Sequence, residues 1–211
     1  MRGVFITFEG PEGSGKSTQI MLLRDYIANI VGRSVVVTRE PGGTPLAEKF
    51  RQILKHHNDV EPIYSTTETL LFEAGRAQNV NFAIKPALAE GKVVLCDRFT
   101  DSTLAYQGFA RGGDLEMLKK LNLVALDGLE IDMTILLDLS PEEGFARAAE
   151  RATTRGQFDR LEAEDLDFHR RVRAGYKAIA QAEPRRVKVF DATLPPEALA
   201  EQIRLEVANV L

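Results

Sequence analysis

The chain has 211 residues, 44% hydrophobic and 27% charged. That composition allows an ordinary globular core in one domain, or at most two small ones. The formal net charge of −4, from 27 Lys and Arg against 31 Asp and Glu, argues against the broad basic face that nucleic-acid binding needs.

The elements follow in chain order. Val4–Glu9 is an apolar run that reads as a buried strand. Ser17–Val31 spaces Ile20, Leu23, Ile27 and Ile30 along one helical face and stops at Gly32. Ser34–Thr38 is the second strand. Thr44-Pro45 then supplies an N-cap and an N1 proline ahead of Leu46, Phe50, Ile53 and Leu54. Thr66–Phe82 is predicted to be helical, and Lys92–Asp97 and Met133–Leu139 are the third and fourth strands. Ser140-Pro141-Glu142-Glu143 is a capping box that opens a helix through about Glu150. A long helix is expected from about Asp165 to Ala182, then a fifth strand, Arg186–Asp191. Pro195-Pro196 opens the last helix, with Leu199, Ile203, Val207 and Val210 facing inward. The strand runs are nearly continuous in Val, Ile, Leu and Phe, as in parallel strands covered on both faces. The pattern predicts an α/β three-layer sandwich with a five-stranded parallel sheet. Residues 1–211 read as a single domain with mobile insertions. Ligands in such sheets bind outside the carboxyl ends of the strands.

The single cysteine, Cys96, excludes an internal disulfide and fits a reducing, cytoplasmic setting. MRGVFITFEG does not read as a signal peptide, and no apolar run is long enough to span a membrane.

Gly10-Pro11-Glu12-Gly13-Ser14-Gly15-Lys16-Ser17 fits the pattern G-x-x-x-x-G-K-[ST], with a strand before it and a helix after it. Glycines let the backbone wrap an anion, and the helix N-terminus adds positive potential. In this P-loop Lys16 is expected to reach the β- and γ-phosphates, and Ser17 to ligate Mg²⁺. The motif says nucleoside triphosphate and magnesium, but not what is done with them.

P-loop proteins divide into switches, motors and small kinases. The N-K-x-D motif of guanine switches does not occur, and 211 residues leave no room for a large machine. A small kinase needs a second phosphate site and cations that close over the transferred group. Arg39, at a strand end beside Gly42-Gly43, is placed to meet an anion. Asp97-Arg98 ends the third strand; such an Asp can hold Mg²⁺ through water, and such an Arg can clamp a phosphate. Arg147, Arg151, Arg155 and Arg160 surround a Gly-containing break and read together as a lid over about 147–161.

Glu9-Gly10-x-Glu12-Gly13-x-Gly15-Lys16-Ser17-Thr18, Thr38-Arg39-Glu40-Pro41-Gly42-Gly43-Thr44, Phe72 with Arg76, and Asp97-Arg98-Phe99-x-x-Ser102-Thr103-x-Ala105-Tyr106-Gln107-Gly108 together resemble thymidylate kinase. The resemblance runs through essentially the whole chain. It implies transfer of the γ-phosphoryl group of Mg-ATP to dTMP by a cytoplasmic homodimer, with no nucleic acid and no membrane involved. It implies that Gly10–Thr18 and Arg147 bind ATP, with Glu9 and Asp97 acting near Mg²⁺ beside Ser17. Phe72 would stack on thymine, and Arg76, Thr103 and Gln107 would contact its polar edge. Tyr106 would crowd out a 2′-hydroxyl, and Glu12 would meet the 3′-hydroxyl. Arg39, Arg98 and Ser102 would grip the acceptor phosphate. Some family members carry a catalytic Arg inside the P-loop, whereas Pro11-Glu12-Gly13-Ser14 has none. The chain is similar to the bacterial type in which a lid residue, best matched by Arg155, joins Lys16 and Arg98 in catalysis. The alternatives are another nucleotide or deoxynucleoside kinase, or a non-catalytic P-loop switch.

Overall fold

The computed structural model describes residues 2–56, 61–155 and 164–211. Five strands, β1 (Val4–Glu9), β2 (Val35–Arg39), β3 (Val93–Asp97), β4 (Met133–Asp138) and β5 (Val187–Asp191), form one parallel sheet in the order β2-β3-β1-β4-β5. The register sets Phe8 beside Asp97 and Arg39 beside Asp97. Every strand therefore delivers a charged residue to the same rim: Glu9, Arg39, Asp97, Asp138 and Asp191. Strand order reverses around β1, and the crevice this opens lies at that rim.

Alternation within the strands builds the layers. Val4, Ile6 and Phe8 face α1 (Lys16–Tyr26) and, near the C-terminus, the helix Pro196–Val207. On the other face Phe5, Val94 and Cys96 pack with Val80, Ile84 and Phe99, and Leu136 and Val187 pack with Val172, Tyr176 and Ile179. The helices between are α2 (Pro45–His56), α3 (Ser65–Asn79), α4 (Lys85–Ala89), α5 (Thr100–Thr103), α6 (Leu115–Leu126), α7 (Pro141–Arg155) and α8 (Leu166–Ala182), with α9 the final one.

Two expectations are corrected. Coverage on both faces holds for β1, β3 and β4, but the edge strands leave Val37 and Val189 about half exposed. Ile30 does not face inward and is 74% exposed. The helix widens into a π-type turn over Ile27–Val31, and that change of period rotates Ile30 off the apolar face. In α2, Leu54 is buried while Leu46 and Ile53 stay exposed.

Candidate active site

A cavity of about 820 Å³ opens at the charged rim. Residues Glu12 to Thr18, between β1 and the first turn of α1, form one wall. Lys16 is almost wholly buried, and its Nζ donates to Gly10 O at 3.0 Å and Pro11 O at 2.9 Å. Burial, with Arg98 adding to it, lowers the Lys16 pKa; Glu12 and Asp97 act against that. Ser17 Oγ donates to Asp97 Oδ2 at 3.2 Å, so hydroxyl and carboxylate meet where the loop enters the helix. The loop also lies directly on α7. A Cβ at Gly13 would stand 2.5 Å from Gly144 O, and one at Gly144 would strike Glu12 O. Gly13 has φ +76°, which disfavours any side chain there independently.

Arg98 adopts a left-handed backbone, φ 66°, rare for a residue with a side chain. Its N–H donates to Phe8 O at 2.9 Å. Nη1 donates to Gly10 O, Ser102 Oγ and the Tyr176 hydroxyl at 3.1–3.3 Å; Nη2 pairs with Glu12. The guanidinium lies 5.2 Å from the Tyr106 ring centre. Burial opposes the Glu12 charge, but Arg98 and Lys16 outweigh it and hold that carboxyl at about 2. Glu9 sits beneath this turn. One oxygen accepts from Phe99 N and Ser102 N, the other from Ser102 Oγ and the Tyr176 hydroxyl.

A third wall comes from α3 and from the helix that begins at α5 and widens into a π-type turn over Leu104–Ala110. Arg76 is 2% exposed. Its Nε donates to Glu40 at 2.8 Å, and Nη1 to Glu73 at 2.7 Å and Asn122 at 2.5 Å. Nη2 donates to Thr103 at 3.1 Å. Burial raises the Glu40 carboxyl to about 7; Arg76 offsets this only in part, because Glu73 adds repulsion. Gln107 Nε2 donates to Glu68 at 2.7 Å, while its Oε1 is buried without a hydrogen-bond partner. Phe72 is half-buried on the same wall, and Tyr106 lines the cavity with its hydroxyl also unpartnered.

The family profile described as thymidylate kinase matches residues 8–203. The chain belongs to the thymidylate kinase family. It is 50% identical over 206 residues to the thymidylate kinase of Desulfovibrio desulfuricans, covering 95% of this chain and 93% of that one. It is 51% identical to that of Thermomicrobium roseum, covering 98% and 95%. The crystal structure of the Ehrlichia chaffeensis thymidylate kinase superposes with TM-score 0.78 at 34% identity, over 99% of each chain.

Most of the thymidylate kinase motif positions expected to act converge on the one cavity. Glu12, Gly13, Ser14, Gly15, Lys16, Ser17, Thr18, Arg39, Phe72, Arg76, Asp97, Arg98, Ser102, Thr103, Tyr106 and Gln107 all line it. Arg39 stands at the rim, paired with Glu48 at 3.1 Å. Glu9 lies under the cavity rather than on its wall. Arg147 Nη1 donates to Ala192 O at 2.9 Å, tying α7 to the turn after β5. The side chains of Arg151 and Arg155, at the end of α7, and the whole of Arg160 lie outside the described residues. No cluster of three or more His, Cys, Asp or Glu forms a metal cage among the described residues.

Sequence reading assigned no role to Glu40, Glu73, Asn122 or Tyr176. Glu73 had a local signal, since it is three residues before Arg76 on one helix. Asn122 and Tyr176 reach the site from α6 and α8, which no short motif reveals.

Proposed function

We propose that this cavity joins ATP, on the Gly10–Thr18 loop, to dTMP, in the pocket of Phe72, Arg76 and Gln107, and makes dTDP and ADP. The observation that carries this is the polarity of one wall. Arg76 Nη2 is a donor, and Gln107 Oε1 is a buried acceptor awaiting a hydrogen. Thymine presents O4 as an acceptor beside N3–H as a donor. Cytosine presents the reverse, so the same wall repels it. Phe72 offers an apolar face on the same cavity, and in this reading the Tyr106 ring, also on its wall, crowds out a 2′-hydroxyl.

The acceptor oxygen is already anionic near neutral pH, so the chemistry is positioning and charge neutralisation. Lys16, Arg39 and Arg98 supply positive charge from three sides, and Arg155 supplies more from the lid over about 147–161. Magnesium fits the Ser17 hydroxyl and the Asp97 carboxylate, both hard oxygen ligands. When bound it neutralises charge on the β- and γ-phosphate oxygens. Glu9, its oxygens already engaged, acts by shaping the Asp97–Arg98 turn.

Residues 1–211 act as one kinase domain, and the buried free thiol of Cys96 suits the cytoplasm. Among the described residues no helix is long and apolar enough to cross a membrane. The kinase is a homodimer. Helix α3 turns a polar face inward, with Glu68, Glu73, Arg76 and Asn79, and leaves Leu70 51% exposed. Neighbouring α2 and α6 expose Ile53, Leu123 and Val124. A second copy that covers these faces accounts for the inversion. Light scattering should give twice the chain mass of 23.4 kDa; a single-chain mass would sink the dimer.

The experiment is ADP release from Mg-ATP with dTMP, dCMP, AMP, GMP and thymidine in turn. Strong stimulation by dTMP alone is expected. Stimulation by a different acceptor would overturn the base pocket. None by any acceptor would overturn the kinase reading.

A further inference from the structure

We propose that Glu68, which is not on the cavity wall, selects the base by fixing which way round the Gln107 amide stands. The inference rests on the reading of Gln107 as the group that meets the base.

A glutamine amide is nearly symmetric in shape but opposite in polarity at its two ends. Turned one way, it offers oxygen to the base and favours a ring with N3–H. Turned the other way, it offers NH₂ and favours a ring with a bare N3. Nothing in Gln107 itself decides between these. Glu68 decides, because a carboxylate only accepts hydrogen bonds. Glu68 Oε1 lies 2.7 Å from Gln107 Nε2, so the NH₂ end is committed to Glu68, and on this cavity-lining residue the amide oxygen is left buried without a hydrogen-bond partner. Reversing the amide would set two oxygens against each other in a buried site, at the cost of a lost hydrogen bond and an added repulsion.

Glu68 is itself held. It is 1% exposed, on α3, two turns from Arg76. Arg111 Nε donates to the same Oε1 at 3.1 Å, and Arg111 Nη2 donates to Glu164 at 2.9 Å. The Arg111 guanidinium also packs 5.2 Å from the Phe168 ring centre. These contacts fix the Glu68 carboxyl in place against Gln107. Glu68 is thus a positioning residue: it touches no substrate and acts through Gln107.

The test is Glu68→Gln, an isosteric change that lets position 68 donate as well as accept. The Gln107 amide can then stand either way. The dTMP-over-dCMP ratio of kcat/KM should fall at least tenfold, mostly through a higher KM for dTMP. At saturation kcat with dTMP should change by less than about threefold, and the KM for ATP should not move. A ratio within twofold of the parent overturns the inference. Gln107→Leu is measured alongside. If it weakens dTMP while Glu68→Gln leaves the ratio intact, only the lock is wrong. If Gln107→Leu leaves dTMP kcat/KM unchanged, the base-pocket reading fails and the lock fails with it. Should Glu68→Gln not fold, the exchange variant Glu68→Gln/Gln107→Glu decides. It keeps the hydrogen bond, the charge and an acceptor-only outward group, and must retain the dTMP preference. Loss of that preference in a folded exchange variant overturns the lock.

Discussion

Arg98→Ala lowers kcat for dTMP phosphorylation by about a thousandfold or more, the scale on which inserted arginines act in phosphoryl transfer. Arg98 is where the P-loop, the β3 turn and α8 meet: its guanidinium touches Gly10 O, Glu12, Ser102 and Tyr176. Both substrates are polyanions, and their repulsion must be cancelled in a site where Lys16 is already nearly buried. Alanine removes the bidentate donor and also frees Glu12, whose carboxyl Arg98 helps hold at about 2. A negative charge then faces the incoming phosphates with less compensation. Arg98→Lys keeps the charge but not the planar fork, and should recover only part of the loss. Arg98→Gly suits φ 66° better than alanine, so equal inactivity in both variants assigns the loss to the side chain. Arg155→Ala provides a contrast, with kcat lowered and the dTMP KM nearly unchanged. An Arg98→Ala enzyme within tenfold of the parent in steady-state assays would remove Arg98 from the reaction.

Arg76→Met should be as costly to folding as Arg98→Ala is to chemistry. Arg76 stands between two buried carboxylates, Glu40 at 2.8 Å and Glu73 at 2.7 Å. Breaking a buried ion pair by deleting one partner costs about 3–5 kcal/mol, because the remaining charge stays desolvated. The loss carries a pH signature. Burial has already raised the Glu40 carboxyl from 4.5 to about 7. Because the folded state holds that proton more tightly than the unfolded chain, its contribution is fully present below about pH 4.5. It is lost as pH rises through about 7. Methionine removes the guanidinium that opposes that shift, so the Glu40 pKa climbs further. Melting temperatures of Arg76→Met should therefore fall more steeply from acidic to mildly alkaline buffer than those of the parent. A drop of the same size at every pH would show that lost packing, not stranded charge, explains the variant.

How far the chain could be read before its fold was seen depended on whether the signal was local. The loop Gly10–Ser17 is contiguous, and its strand and helix flanks follow from apolar period alone. Five strands were legible within a residue or two at each end, because buried parallel strands are short apolar runs. The Ile30 error arose because period analysis assumes 3.6 residues per turn, whereas the chain widens at Ile27. The base wall was readable only as motif positions. That Arg76 is fixed by Glu40, Glu73 and Asn122, or Gln107 by Glu68, depends on α3, α6 and the strand-end loop coming together. Such cross-element pairings have no spacing to read. Helix α3 shows the limit best. It buries a polar stripe around the site and leaves Leu70 exposed, an arrangement set by its neighbours and not by its own period.

The contact between Gly13 and Gly144 sets a limit on how this enzyme can change. The phosphate-loop pattern fixes Gly10 and Gly15 and leaves position 13 open, and Gly144 looks like an ordinary helix position. Yet a side chain at Gly13 would run into the Gly144 backbone, and one at Gly144 into the carbonyl of Glu12 in the same loop. Neither site can be diversified alone, and no smaller side chain nearby can compensate, since the obstacles are backbone atoms. Such a seam resists stepwise drift from both sides. It also tells a protein engineer where not to add helix propensity: the glycine in α7 is the clearance that lets the loop keep its shape.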